Sequence, residues 1–260
     1  MKAFLTKVKN KINTARYRIV LYPQRLLAGY NSRNVLVDFD ENWFKGKRVA
    51  IVGGADSVLK EPLGDYIDGF DVVVRINKGV QIIESQKDFA GQRTDFLFHS
   101  FFNRPGDKGS SPFTFGLWKK HNVGLLIFAR NFNAGLHELT CFQDFLKNDH
   151  EKQQFSQITL KQCEMDKKAL TPANPTTGFT AINTIINCKP KELYLTGITF
   201  FKTPHNNAYR DFDQEDLTRV FNVEKDHSAE LEYQYIKKIF QQYPFIIHPD
   251  KTLKKIFETN

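Results

Sequence analysis

The chain has 260 residues, 41% of them apolar and 25% charged, a composition that builds a full hydrophobic core and excludes a disordered chain. Its formal charge of +8 suits a polyanionic partner. The excess is local, because residues 1–34 hold eight Lys or Arg and no acid, whereas the remainder balances 29 basic against 29 acidic residues.

In chain order, Phe4, Val8, Ile12, Ala15 and Ile19 recur at helical spacing, with Lys2, Lys9 and Arg16 on other faces. Such a basic amphipathic helix fits an anionic membrane surface; the other reading is a terminal helix packed on the domain. Residues 1–34 are therefore expected to form a basic N-terminal arm, with Asn31, Ser32 and Arg33 leading into a single domain at 35–260. Charge interrupts every apolar stretch near the start, so no cleavable leader is expected. No run reaches the ~20 apolar residues of a bilayer span.

From Arg48 onward, strand and helix signals alternate. Strands are expected at Arg48–Val52, Asp71–Ile76, Thr94–Phe98, Val123–Ala129, Glu192–Thr196 and Pro244–His248. Helices are expected at Leu136–Leu146, Thr177–Asn187 and Ser228–Gln241. Runs such as Val72-Val73-Val74 and Leu125-Leu126-Ile127-Phe128 are apolar throughout, the mark of strands covered on both faces. The fold class that follows is α/β, Rossmann-like, with a mainly parallel sheet and helices on both faces. Loops are expected at 106–112 and 203–214. Cys141, Cys163 and Cys188 are too few and too dispersed for a disulfide framework or a zinc site, and they imply a reducing compartment.

Two segments carry binding chemistry. The strand ending at Val52 runs into Gly53-Gly54-Ala55, a turn where glycine lets backbone approach a phosphate at a helix start. Neither the dinucleotide pattern nor a P-loop is present there. The next strand ends in Arg75-Ile76-Asn77, which sets an amide at the carboxyl end of a strand beside that turn, the ligand crevice of open α/β sheets. Arg75 is the weaker ligand candidate, because a core or paired role suits it as well. Far downstream, Asn174-Pro175-Thr176-Thr177-Gly178 opens a second helix N-terminus able to take an anion, or simply a Thr-capped helix.

Together these residues resemble the motifs of glycosyltransferase family 29, the sialyltransferases. Val49 to about Ser100 resembles the large motif, Pro175–Ile198 the small motif, and His227 with Glu232 five places later the very small motif. His205 stands where a third motif has its histidine, although Asn206-Asn207 replace the usual aromatic pair. Where the family's large motif begins with a cysteine bonded to the small motif, this chain has Val49, so Cys188 lacks that partner.

The resemblance implies a donor such as CMP-sialic acid or CMP-Kdo, an inverting displacement and no metal or other cofactor. It assigns catalysis to His227 as base with Glu232 in support, and donor binding to Gly53, Gly54, Asn77, Thr176, Thr177, Gly178, Gly197 and His205. The missing disulfide and the basic start imply a cytoplasmic enzyme on the inner face of a cell membrane. A Kdo transferase acting on a lipopolysaccharide-core acceptor comes first, with sialyl transfer second. Asp211-Phe212-Asp213 has metal-ligand spacing but follows an Asn-rich loop, which disfavours it. The alternatives are a Rossmann-type oxidoreductase and a non-catalytic, membrane-associated nucleotide-binding protein; nucleic acid is disfavoured, since no basic, aromatic-interleaved patch appears in the body.

Overall fold

A computed structural model describes residues 17–107, 109–210, 215 and 226–259. Phe4 to Ala15 of the N-terminal stripe, and Asp211 and Asp213, lie outside the described residues.

Among the described residues eight strands form one sheet, every neighbouring pair parallel. They are β1 (Leu36–Val37), β2 (Arg48–Val52), β3 (Val72–Ile76), β4 (Phe96–His99), β5 (Leu125–Phe128), β6 (Phe155–Gln157), β7 (Glu192–Thr196) and β8 (Ile247–Pro249). All six expected strands are present, β2 and β7 with the expected ends and the others shifted by one to three residues. The edge strand β1 and its neighbour β6 carry only two and three residues and pair with each other. Among the described residues the helices are α1 (Tyr22–Ser32), α2 (Gly64–Asp68), α3 (Ile83–Ala90), α4 (Phe115–Lys120), α5 (Leu136–Asn148), α6 (Leu160–Leu170), α7 (Thr177–Asn187), α8 (Ala229–Gln242) and α9 (Lys251–Glu258). Among the described residues none is long and apolar enough to cross a membrane.

The alternating pleat explains why the strands are apolar throughout. Val49, Ile51, Val72 and Val74 face α7, α8 and α9 through Phe179, Ile182, Ile185, Ile236 and Phe257. Ala50, Val52 and Val73 face the opposite layer, with Ile67, Phe70 and Ala90 of the α2–α3 region. Further along that layer, Leu97, Leu126, Phe128 and Phe155 pack on Trp118, Phe142 and Phe145. There the Phe101 ring stacks on Phe128 and Phe145 with centroids 4.7 and 4.0 Å apart. Much of the phenylalanine content is thus core. Val49 and Cys188 sit in one apolar cluster, where the family pattern would place a disulfide, and all three thiols are free and buried.

Strand order is β1-β6-β5-β4-β3-β2-β7-β8. The chain therefore winds outward from β2 in one direction through β6, then returns to the other side of β2 with β7. The strand order reverses between β2 and β7, and in an open parallel sheet the crevice beyond the carboxyl ends at that point takes the ligand.

Candidate active site

A cavity of about 700 Å³ opens at this reversal, lined by all ten residues singled out in the sequence. Its floor is where the ends of β2 and β7 touch. The Gly53 N–H donates to Thr196 O and the Ala55 N–H to Gly197 O, both at 2.8 Å. A Cβ on Gly53 would collide with the Gly197 carbonyl, and one on Gly197 would lie 2.6 Å from Gly53 O. Gly197 also holds φ +66°, a region that favours glycine. A Cβ on Gly54 would strike the Tyr209 ring.

These contacts give the first turn a structural reason beside the expected one. Its glycines serve a close backbone crossing, and the amides of Gly53, Ala55 and Asp56 (to Pro204 O, 2.9 Å) are already donated to protein carbonyls. Only a four-residue 3₁₀ turn, Asp56–Leu59, follows it. Both turns border the cavity, the first through Gly53, Gly54 and Ala55, but only the second continues into a full α-helix, α7.

Asn77 follows β3 in the left-handed region, φ +49°, which asparagine tolerates better than most residues. Its Oδ1 accepts the Ser100 N–H at 2.9 Å beyond the end of β4. This fixes the amide at the cavity wall. Arg75 instead points into the protein. Its guanidinium donates to the carbonyls of Ala90, Gly91 and Arg93 and to Thr94 Oγ1, and burial lowers its pKa to about 10.

The start of α7 is held from several sides. Thr176 is its N-cap, its Oγ1 accepting the Phe179 N–H at 3.2 Å. The same residue donates its backbone N–H to Glu232 Oε1 at 2.7 Å and its hydroxyl to Oε2 at 2.8 Å. Glu232 is 2% exposed, and burial, outweighing these two hydrogen bonds, pushes its carboxyl up to about 7. Arg130, just past β5, donates to Pro175 O at 2.6 Å, Ala129 O at 2.8 Å and Thr180 Oγ1 at 3.4 Å. Behind it Asp166, fully buried, accepts from Gln162 and Asn183 and is pushed up to about 6 by burial. At Gly178 a Cβ would meet nothing nearer than 3.7 Å, so this part of the turn is open toward the cavity.

His227 precedes Ser228, the N-cap of α8, and its Nδ1 lies 2.7 Å from Asn174 O. A carbonyl only accepts, so Nδ1 carries the proton and the neutral ring presents Nε2 as its acceptor. Burial lowers the ring's pKa below its ordinary value, partly offset by the Asn174 bond, which keeps the ring neutral at physiological pH. The Asn174 N–H donates to Asp226 O at 2.6 Å, so the histidine segment is tied back to the segment leading into α7. The expected support of His227 by Glu232 takes a different form, because both carboxyl oxygens are engaged by Thr176. Glu232 positions the α7 turn.

His205 forms a bridge with Ala55 and packs its ring near Phe201 and Tyr209. Burial, then Arg210 and Lys78, lowers its pKa to about 3, so it meets the cavity as a neutral ring. Sequence reasoning passed over Arg130, Tyr209, Arg210 and the wing formed by Phe102, Arg104 and the first turns of α5. In that wing Lys167 Nζ pairs with Glu138 Oε1 at 2.8 Å. For Arg130 a usable signal existed, since it stands just past the carboxyl end of an apolar strand, as Asn77 does.

Glycosyltransferase family 29 (sialyltransferase) matches residues 24–243. A search of the curated proteins by sequence finds no match. Among solved structures, a mammalian sialyltransferase in complex with Gal-β-1-3GalNAc-ortho-nitrophenol is 14% identical, with TM-score 0.55 over 86% of this chain and 78% of that one. The Campylobacter jejuni sialyltransferase CstII in complex with cytidine 5′-monophosphate is 16% identical, with TM-score 0.50 over 79% and 80%. At these identities the structural likeness speaks for the fold. The family match spans most of the chain, which therefore belongs to glycosyltransferase family 29, the sialyltransferases, and is a CMP-sugar-dependent glycosyltransferase.

Proposed function

We propose that the enzyme moves an ulosonic acid from its CMP-activated form to a saccharide hydroxyl, with inversion and without a metal. The observation that carries this reading is the 2.7 Å contact of His227 Nδ1 with the Asn174 carbonyl on a ring that lines the cavity, from which the proton is assigned to Nδ1 and the acceptor role to Nε2. Nε2 takes the proton of the acceptor hydroxyl, and that oxygen attacks the anomeric carbon. The bond from the anomeric carbon to the phosphate oxygen breaks, and CMP leaves with the electron pair. The start of α7 receives the leaving phosphate through the backbone N–H groups of Thr177 and Gly178 and the Thr177 hydroxyl, with Thr176 committed to Glu232 behind them. Asn77 reads the nucleotide, and Glu232 and Arg130 hold the α7 turn in place.

Kdo comes first as the sugar and sialic acid second. Three buried free thiols suit a reducing cytoplasm, which supports a lipopolysaccharide-core acceptor at the inner face of a cell membrane. Calorimetric titration in EDTA tests the donor site: CMP is expected to bind, more weakly to Asn77→Gly. Tight binding of UMP or NAD with no signal for CMP would overturn the reading.

A further inference from the structure

Helix α1 is built inside out. One face, with Ala28 and Ser32, packs against α5 and is small and partly polar. The opposite face carries the large apolar side chains and leaves them in water: Tyr22, Leu26 at 58% exposed, Leu27 at 56% and Tyr30 at 62%. Ile19, at 74%, and Val20 extend the patch into the preceding turn. At 3.6 residues per turn, positions 22, 23, 26 and 30 fall within about 100° of one another. Of the thirteen large apolar side chains that stand exposed among the described residues, six lie between 19 and 30. Isolated exposed leucines need no explanation, but a contiguous set marks a docking surface.

We propose that this outer face of α1 docks on an anionic lipid bilayer. Charge selects that occupant. The first acidic residue of the whole chain is Asp38, so the helix stands in a segment that is basic throughout, next to a balanced domain. A protein partner would be matched by mixed charge, whereas a surface of one sign is met by a segment of the other. The side-chain types fit an interface: aliphatic groups insert, while tyrosine keeps an apolar ring in the lipid and its hydroxyl at the headgroups. At the end of the face Arg33 lies 3.8 Å over the Tyr30 ring and donates to Tyr30 O at 2.6 Å, which sets a cation at headgroup depth. The placement is also apt, since α1 packs on α5 and the first turns of α5 line the cavity with His137, Glu138 and Cys141. A bilayer met by α1 lies on the side of the domain where α5 borders the cavity. The inference stands apart from the identity of the transferred sugar.

The test is co-sedimentation of the full chain with vesicles of phosphatidylcholine alone and of equal parts phosphatidylcholine and phosphatidylglycerol, at low and high salt. Wild type is expected to sediment with the anionic vesicles only, less so at high salt. Leu26→Glu with Leu27→Glu, both at exposed positions, should lower partitioning roughly a hundredfold, about tenfold for each leucine lost from the apolar phase. CMP affinity and thermal midpoint serve as controls and should not move. Equal sedimentation of variant and wild type would overturn the proposal. So would wild type that binds neither vesicle, or a self-association in solution that the two substitutions abolish.

Discussion

Replacing Glu232 by glutamine should flatten the dependence of stability on pH. The carboxyl is 2% exposed and burial raises it from the ordinary 4.5 to about 7. A carboxyl raised in the fold holds its proton more tightly there than in the unfolded chain. Its contribution to stability is therefore fully present below about pH 4.5 and is lost as pH rises through about 7. At about 1.4 kcal/mol per pKa unit the full loss is roughly 3 kcal/mol, most of it between about pH 5 and about pH 8. Glutamine keeps an oxygen for the Thr176 N–H and does not titrate. Urea unfolding of both proteins at the two pH values reads the effect. The variant should gain about 2 kcal/mol on wild type in going to the higher pH. Asp166, also raised, acts with the same sign in both proteins, and because its charge helps to raise Glu232 the difference between the curves reads Glu232 together with that coupling. Parallel curves would show that Glu232 is not the buried titrating group that holds the α7 turn.

His227→Ala should cut turnover by roughly 10²-fold or more while leaving CMP affinity and thermal midpoint nearly unchanged; steady-state rates beside calorimetry decide it, and near-normal turnover removes His227 from the chemistry. With the ring's pKa below its ordinary value, wild-type rate should already be on its plateau at neutral pH and fall only on acidification. Gly53→Ala should cost about 3 kcal/mol, because its Cβ meets the Gly197 carbonyl and the backbone must yield. A midpoint lowered by roughly 6–12 °C is expected in a thermal melt, and an unchanged one would contradict the crossing. Thiol titration should find all three cysteines reactive after denaturation and slow before it, since burial pushes Cys141 up to about 11 and Cys188 up to about 12. Fewer than three would mean a bond that the structure does not contain.

What could be read in advance follows from where the information lies. Strands such as Val72–Ile76 and Leu125–Phe128 are written in consecutive residues, because both faces of the sheet are covered. Strands β1 and β6 exist only through their partners, and two or three residues carry no period to detect. At the site, glycines and polar residues at strand ends flagged the right positions, and the fold gathers all ten around one cavity. Their reasons were less legible. Gly53 and Gly197 explain each other across 144 residues, and Glu232 explains Thr176 across 56, relations that no local reading contains. Helix α1 misled differently. Asn31 and Ser32 look like a loop, yet Ser32 is buried against the domain within the last turn of the helix.

The most direct test of group transfer is release of CMP from CMP-Kdo and from CMP-sialic acid, each incubated in EDTA with a lipopolysaccharide-core acceptor and followed by chromatography. The account predicts CMP release with inversion from one of the two donors, CMP-Kdo first, and its loss in His227→Ala. No CMP from either donor, or release that the alanine variant sustains at the wild-type rate, would contradict it.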